Sequence, residues 1–188
     1  RLARLARLLG ADFHCRHIPP PDGVHPVWLK LPLIEQLARN YERVIWCDAD
    51  MLPLFSVLTR ADLDPLLTAP ATLAPDHGMP QTDARFAAFC TKWFGGTVPN
   101  GLTYWNAGVM GFSREVALKL GEAFRQFGKT PDEYFHDQDF INFHLRMGGV
   151  DVCTLPQGMN WCAPQLREAT LKHAKMVHFA GGHKNLVP

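Results

Sequence analysis

Apolar residues recur at helical spacing at the start of the chain, where Leu2, Leu5, Leu8 and Leu9 alternate with Arg1, Arg4 and Arg7 and Gly10 supplies a C-terminal stop. A strand is expected near Phe13–Ile18, then a turn through Pro19-Pro20-Pro21-Asp22-Gly23. Leu29, Leu33 and Leu37 lie four apart and predict a second helix ending at Asn40 and Tyr41. Arg43-Val44-Ile45-Trp46-Cys47 is a short, nearly continuous apolar run, the pattern of a strand buried on both faces of a parallel sheet.

Further along, strands are expected at Ala71–Ala74, Tyr104–Phe112, Val150–Leu155 and Met176–Phe179. Helices are expected at Thr82–Phe94, at Arg114–Phe127 behind a Ser113 cap, and at Asp139–Met147, with a capping-box spacing at Thr130–Glu133. Helices and strands alternate, which favours an α/β layered domain over a bundle or a sandwich. No repeat, low-complexity tract or linker divides the 188 residues, so one domain, 1–188, is expected.

Composition narrows the function classes. Nineteen Lys and Arg against eighteen Asp and Glu leave a net charge of +1, which gives no field to draw the chain onto nucleic acid. No apolar run reaches the roughly 20 residues that cross a bilayer. Five cysteines, odd in number and without a Cys-x-x-Cys pair, argue against a disulfide framework or a zinc ribbon and point to a reducing, cytoplasmic setting. The chain opens on Arg1 inside a helical pattern with no capping residue before it, and is expected to be N-terminally truncated.

Candidate chemistry sits where strands run out. Asp48 and Asp50 follow the Arg43–Cys47 strand two residues apart, so an extended backbone turns both carboxylates the same way. Ligands of open α/β sheets bind beyond the carboxyl ends of strands, and a hard divalent cation would relieve the repulsion of the two acids. The competing reading is an Asx turn that caps the following bend. At the other end of the chain, His178 closes a strand before Ala180-Gly181-Gly182-His183-Lys184. There, glycines permit close backbone approach to an anion, Lys184 offers a compact cation, and His178 offers a nitrogen acceptable to Mn²⁺.

Six segments occur together in one order: Leu29-Lys30-Leu31, Arg43–Asp50, Trp105-Asn106-Ala107-Gly108-Val109, His136-Asp137-Gln138-Asp139, Leu155-Pro156 with Asn160, and His178–Lys184. In this the chain resembles glycosyltransferase family 8, the group of glycogenin and of bacterial lipopolysaccharide galactosyl- and glucosyltransferases. The resemblance implies a GT-A fold, a mixed sheet flanked by helices that here lacks the first nucleotide-binding strands. It implies transfer of a hexose, with retention, from a nucleotide-diphosphate sugar (a UDP-sugar is expected) to a glycan, lipid-linked or protein acceptor, with Mn²⁺ or Mg²⁺.

Position by position, the resemblance makes Asp48, Asp50 and His178 the metal ligands and assigns Gly181 and Lys184 to the diphosphate. Lys30, Asp76, Asn106 and Ala107 would face the donor sugar. Asp137 and Gln138 would stand beside the anomeric carbon, with Gln138 closest to the reacting face; their alternative reading is polar residues favoured at a helix N-terminus. Lys184 is followed by Asn185-Leu186 where the family usually has Pro-Trp. The family's base-binding strand would precede Arg1, so this stretch alone is expected to lack the base pocket. A metal-dependent phosphoesterase and a non-catalytic glycan-binding or scaffold relative are the alternatives from other classes.

Overall fold

The computed structural model describes residues 1–15, 17–76, 84–96, 103–131, 136–162 and 172–180. In chain order the helices are α1 (Leu2–Leu9), α2 (Lys30–Ala38), α3 (Arg60–Thr68), α4 (Ala84–Phe94), α5 (Arg114–Phe127) and α6 (His136–Met147). The strands are β1 (Arg43–Cys47), β2 (Met51–Pro53), β3 (Ala71–Pro75), β4 (Trp105–Ser113), β5 (Val152–Thr154), β6 (Trp161–Cys162) and β7 (Met176–His178). Four strands form one sheet in the order β1-β4-β3-β5, and three form a second in the order β2-β7-β6. This is a mixed α/β architecture flanked by helices, as the pattern of the chain predicts.

Both faces of the larger sheet are covered. Val44 and Trp46 of β1, with Met110 and Phe112 of β4, pack with α2, α5 and α6 around Trp28, Ile34, Leu120 and Phe140. Ile45 and Cys47 face the other way, toward α1 and α3, where Leu5, Leu9, Leu63 and Leu66 are buried beside Val109. The arginine-leucine pattern of α1 is thereby explained: Leu5 and Leu9 sit in the core while Arg4 and Arg7 remain at the surface. Gly10 ends the helix at φ 69°, a conformation a side chain would strain.

Three sequence expectations are corrected. β1 has apolar neighbours on both faces but no parallel partner: it is an edge strand paired antiparallel with β4, from Arg43 opposite Ser113 to Cys47 opposite Val109, and only Val44 is fully buried. No strand forms among the described residues of 13–18. Asp12 and His14 instead hydrogen-bond the Tyr41 hydroxyl, and without a ladder partner the segment stays irregular. α6 starts at His136 rather than Asp139, which puts Asp137 and Gln138 in its first turn. The helix α3, with a capping box between Thr59 and Asp62, and the short strands β2 and β6 carry too little apolar periodicity to be read from the sequence. The Thr130–Glu133 capping box lies largely outside the described residues.

Helices α2 and α5 pack through a glycine. A Cβ at Gly121 would stand 2.4 Å from Glu35 Cγ, so only glycine admits the Glu35 side chain there. Burial alone raises the Glu35 carboxyl, but Arg39 and Arg125 hydrogen-bond it and hold it below the usual carboxylate range. A carboxyl held low in the fold stabilises above its unfolded value, and that stability is lost as pH falls through the folded one. Both arginines are half-exposed, so Glu35→Gln is expected to cost about 1 kcal/mol at neutral pH. The cost should fall away as pH drops below the ordinary glutamate range and through the depressed folded value, where the wild-type carboxyl protonates as well, and urea titrations of the two proteins at several pH values check both halves.

Candidate functional site

The site forms where β1 ends, at the seam of the two sheets. The chain leaves β1 with the Asp48 amide hydrogen-bonded to the Gly108 carbonyl at 2.8 Å. It turns through Asp48-Ala49-Asp50, closed by the Met51 amide on the Asp48 carbonyl, and enters β2. Met51 pairs with His178 of β7, which carries the C-terminal motif alongside the acidic turn. His178 Nε2 stands 3.3 Å from Asp50 Oδ1 and 3.9 Å from Asp48 Oδ2. One ligand atom from each of the three residues lies within 4.8 Å of the others.

This donor set fits a hard divalent cation. Two carboxylates and an imidazole converge from positions 130 residues apart in the chain, and such a combination suits Mn²⁺ better than a soft metal. Asp48 is already oriented for the task. Its Oδ1 accepts from Trp46 Nε1 at 2.6 Å and from Lys30 Nζ at 3.2 Å, while Oδ2 is the atom turned toward His178. The His178 ring lies against bare backbone, because a Cβ at Gly108 would be 2.6 Å from its Cε1 and 2.7 Å from its Nδ1.

A polar floor continues from the acidic turn along β4 to α6. The β3–β4 ladder is in register up to Leu73 opposite Met110, then resumes at Ala74 opposite Asn106, so Ala107–Val109 bulge from that pairing. A bulge frees backbone groups and re-aims side chains. Here side chains take up backbone groups of the bulge: the Ala107 amide donates to Gln138 Oε1 at 2.9 Å, the Ala107 carbonyl accepts from Lys30 at 3.0 Å, and the Gly108 amide donates to Asn106 Oδ1 at 2.8 Å. Asp76 Oδ2 accepts from Asn106 Nδ2 at 3.1 Å and from Gln138 Nε2 at 3.0 Å. Asn142, in the second turn of α6, ties that helix to β4 through both the amide and the carbonyl of Trp105.

Lys30 lies beneath this floor, only 5% exposed, and also reaches Asp137 Oδ2 at 2.8 Å. Burial disfavours its ammonium, but Asp137 and Asp48 outweigh that and hold it protonated far above neutrality. Burial likewise pushes Asp137 upward against the attraction of Lys30. The two groups face each other at 2.8 Å in the site's buried acid–amine pair.

The structure therefore brings together nine of the residues singled out in the sequence: Lys30, Asp48, Asp50, Asp76, Asn106, Ala107, Asp137, Gln138 and His178. Gly181 and Lys184 lie outside the described residues. Trp46, Gly108 and Tyr104, whose hydroxyl donates to Asp139 at 2.5 Å, were not assigned roles in advance. Trp46 could have been suspected, since it stands two residues before Asp48 on an extended chain.

No family model and no curated protein matches the sequence. Solved structures do match the fold. The apo structure of the bifunctional glycosyltransferase WbbM is similar with a TM-score of 0.54 and 23% identity, over 82% of this chain and 31% of that one. An LgtC active-site mutant, glutamine to glutamate, gives 0.52 and 17% over 86% of this chain and 62% of that one. The galactosyltransferase LgtC in complex with donor and acceptor sugar analogs gives 0.52 and 16%, over 94% of this chain and 64% of that one. The chain thus spans less than two thirds of each of these proteins, with which it shares the GT-A-like glycosyltransferase fold.

Two substitutions test the geometry. Gly108→Ala should drive the His178 ring from its seat and weaken Mn²⁺ binding at least about tenfold, because a displaced ligand loses affinity on that scale; electron paramagnetic resonance titration of free Mn²⁺ reads this, and unchanged affinity would contradict the packing. Lys30→Met should destabilise the fold by about 3–5 kcal/mol in urea titration, since it strands the buried Asp137 without its cation.

Proposed function

We propose that this chain carries the catalytic core of a retaining glycosyltransferase that moves a hexose from a nucleotide-diphosphate sugar, a UDP-hexose first among candidates, to a hydroxyl of a glycan, lipid-linked or protein acceptor. The observation that carries the reading is the convergence of Asp48, Asp50 and His178 beside the Asp76, Asn106 and Gln138 floor. The fold shared with WbbM and LgtC supports it, as does the LgtC structure with donor and acceptor sugar analogs. No helix among the described residues is long and apolar enough to cross a membrane.

Asp48, Asp50 and His178 would hold Mn²⁺ or Mg²⁺, which supplies positive charge against a departing nucleoside diphosphate. Gly181 and Lys184 keep the diphosphate role that their motif implies. The remaining steps belong to the protein's own groups. Asp76, Asn106 and Gln138 form one hydrogen-bonded group, in which the Asp76 carboxylate accepts from both amide nitrogens and holds them at the floor of the site. The Ala107 amide and Asp76 together fix the Gln138 carboxamide, so its dipole meets developing positive charge on the sugar without reorganising.

Asp137 is held by Lys30 and contributes negative potential rather than a free nucleophile. Gln138, a neutral amide, is a poor covalent nucleophile too. Retention by attack on the same face as the leaving group is consistent with both features. The LgtC mutant in which an active-site glutamine is replaced supports a functional glutamine in this fold.

Incubation of the protein with UDP-hexose and Mn²⁺ should release UDP, and chelator should stop it. Asp50→Asn should reduce release by at least about 100-fold, since a neutral amide cannot balance the cation. Turnover in chelator would refute the mechanism. Release of inorganic phosphate or nucleoside monophosphate instead of UDP would identify a phosphoesterase.

A further inference from the structure

We infer that Asn160 is a positioning residue that sets the proton of the His178 imidazole and so makes its Nε2 a cation ligand. The inference rests on the cation reading of the Asp48, Asp50 and His178 cluster. Asn160 closes a single helical turn, Gln157–Asn160, that leads into β6, the strand paired in parallel with β7. Its Oδ1 stands 3.0 Å from His178 Nδ1, with Asn160 2% exposed and His178 5%. A carboxamide oxygen only accepts, so the ring nitrogen facing it must carry the proton. In a neutral imidazole the proton on Nδ1 leaves a lone pair on Nε2, and Nε2 is the atom that faces Asp48 and Asp50.

Among the described residues Asn160 Nδ2 is buried without a hydrogen-bond partner, and His178 is the side chain that the amide group contacts. Gly108 also lies against the ring, where a Cβ would stand 2.7 Å from Nδ1, so backbone and amide both confine the imidazole. Were the amide reversed, its nitrogen would donate to Nδ1 and the proton would move to Nε2. That proton would point at Asp50 Oδ1, 3.3 Å away, and exclude a cation from the nitrogen. The orientation of one buried amide therefore decides whether the cluster is a cation site or a closed hydrogen-bonded histidine.

The test uses Mn²⁺ alone as the probe, without nucleotide. Wild type should bind it, Asn160→Leu should bind about 10- to 100-fold more weakly, and Asn160→Asp, which keeps an acceptor oxygen, should recover affinity. Thermal unfolding of the three proteins separates loss of the fold from loss of the ligand. Equal affinity in wild type and Asn160→Leu overturns the inference alone, and so does an Asn160→Asp protein that folds but binds as weakly as Asn160→Leu. Failure of the wild type to bind Mn²⁺ overturns the cation reading itself. A measurement needing no variant is nitrogen-15 resonance of His178 with Zn²⁺ as a diamagnetic probe: the proton should sit on Nδ1, and a ring protonated on Nε2 overturns the assignment.

Discussion

A single buried ammonium holds the site together. Lys30 opens α2, Asp48 follows β1, Ala107 lies in β4 and Asp137 in the first turn of α6, so its three contacts pin four elements to one point. Burying a charge is tolerated only when it is paired and hydrogen-bonded, and Lys30 meets both conditions. The pinning also sets the electrostatic balance. It places the Asp48 carboxylate beside Asp50 and His178, so the ammonium that joins these elements also sets out the acidic end of the cluster. A divalent cation is a partner that such a donor set accommodates.

Backbone irregularity supplies the remaining precision. The β3–β4 pairing skips Ala107–Val109, and the Ala107 and Gly108 backbone groups bond Gln138, Lys30 and Asn106 instead. The Gly108 carbonyl still anchors the start of the acidic turn, and its missing Cβ seats the His178 ring. One residue thus contacts both halves of the candidate cation site through groups that no side-chain motif displays. The site rests on strand and helix ends rather than on long loops, the arrangement that holds a constellation within fractions of an ångström.

Much of this was legible in the sequence because it depends on local order. Apolar periodicity located α1, α2, α5 and the β1 and β4 strands, and an acidic pair after a strand marked the right turn. Pairing direction was not legible: β1 has apolar residues on both faces, and an edge strand covered by helices carries the same pattern as a central parallel one. The Lys30 cluster was also out of reach, since nothing local to Leu29-Lys30-Leu31 says that Asp137 lies above it. The role of Asn160 appears only once β6 is laid beside β7. Motif order named most of the residues, while tertiary contact assigned them to one another.

That assignment bears on the kind of chemistry the floor can support. Asp137, the carboxylate next to Gln138 in the chain, is held in an ion pair with Lys30, and Asp76 is engaged by two neutral amides. A mechanism with a covalent sugar intermediate would need a carboxylate free to approach the reacting carbon, and both of these are restrained by partners that would have to be broken first. Stabilising positive charge asks for no such motion: dipoles and carboxylates already fixed in place act at once, and their partners keep them from collapsing onto each other before the substrate arrives. On the proposed function, the buried ion pair and the hydrogen-bonded amides therefore favour the same outcome, a site that would support separated charge on a sugar rather than attack it.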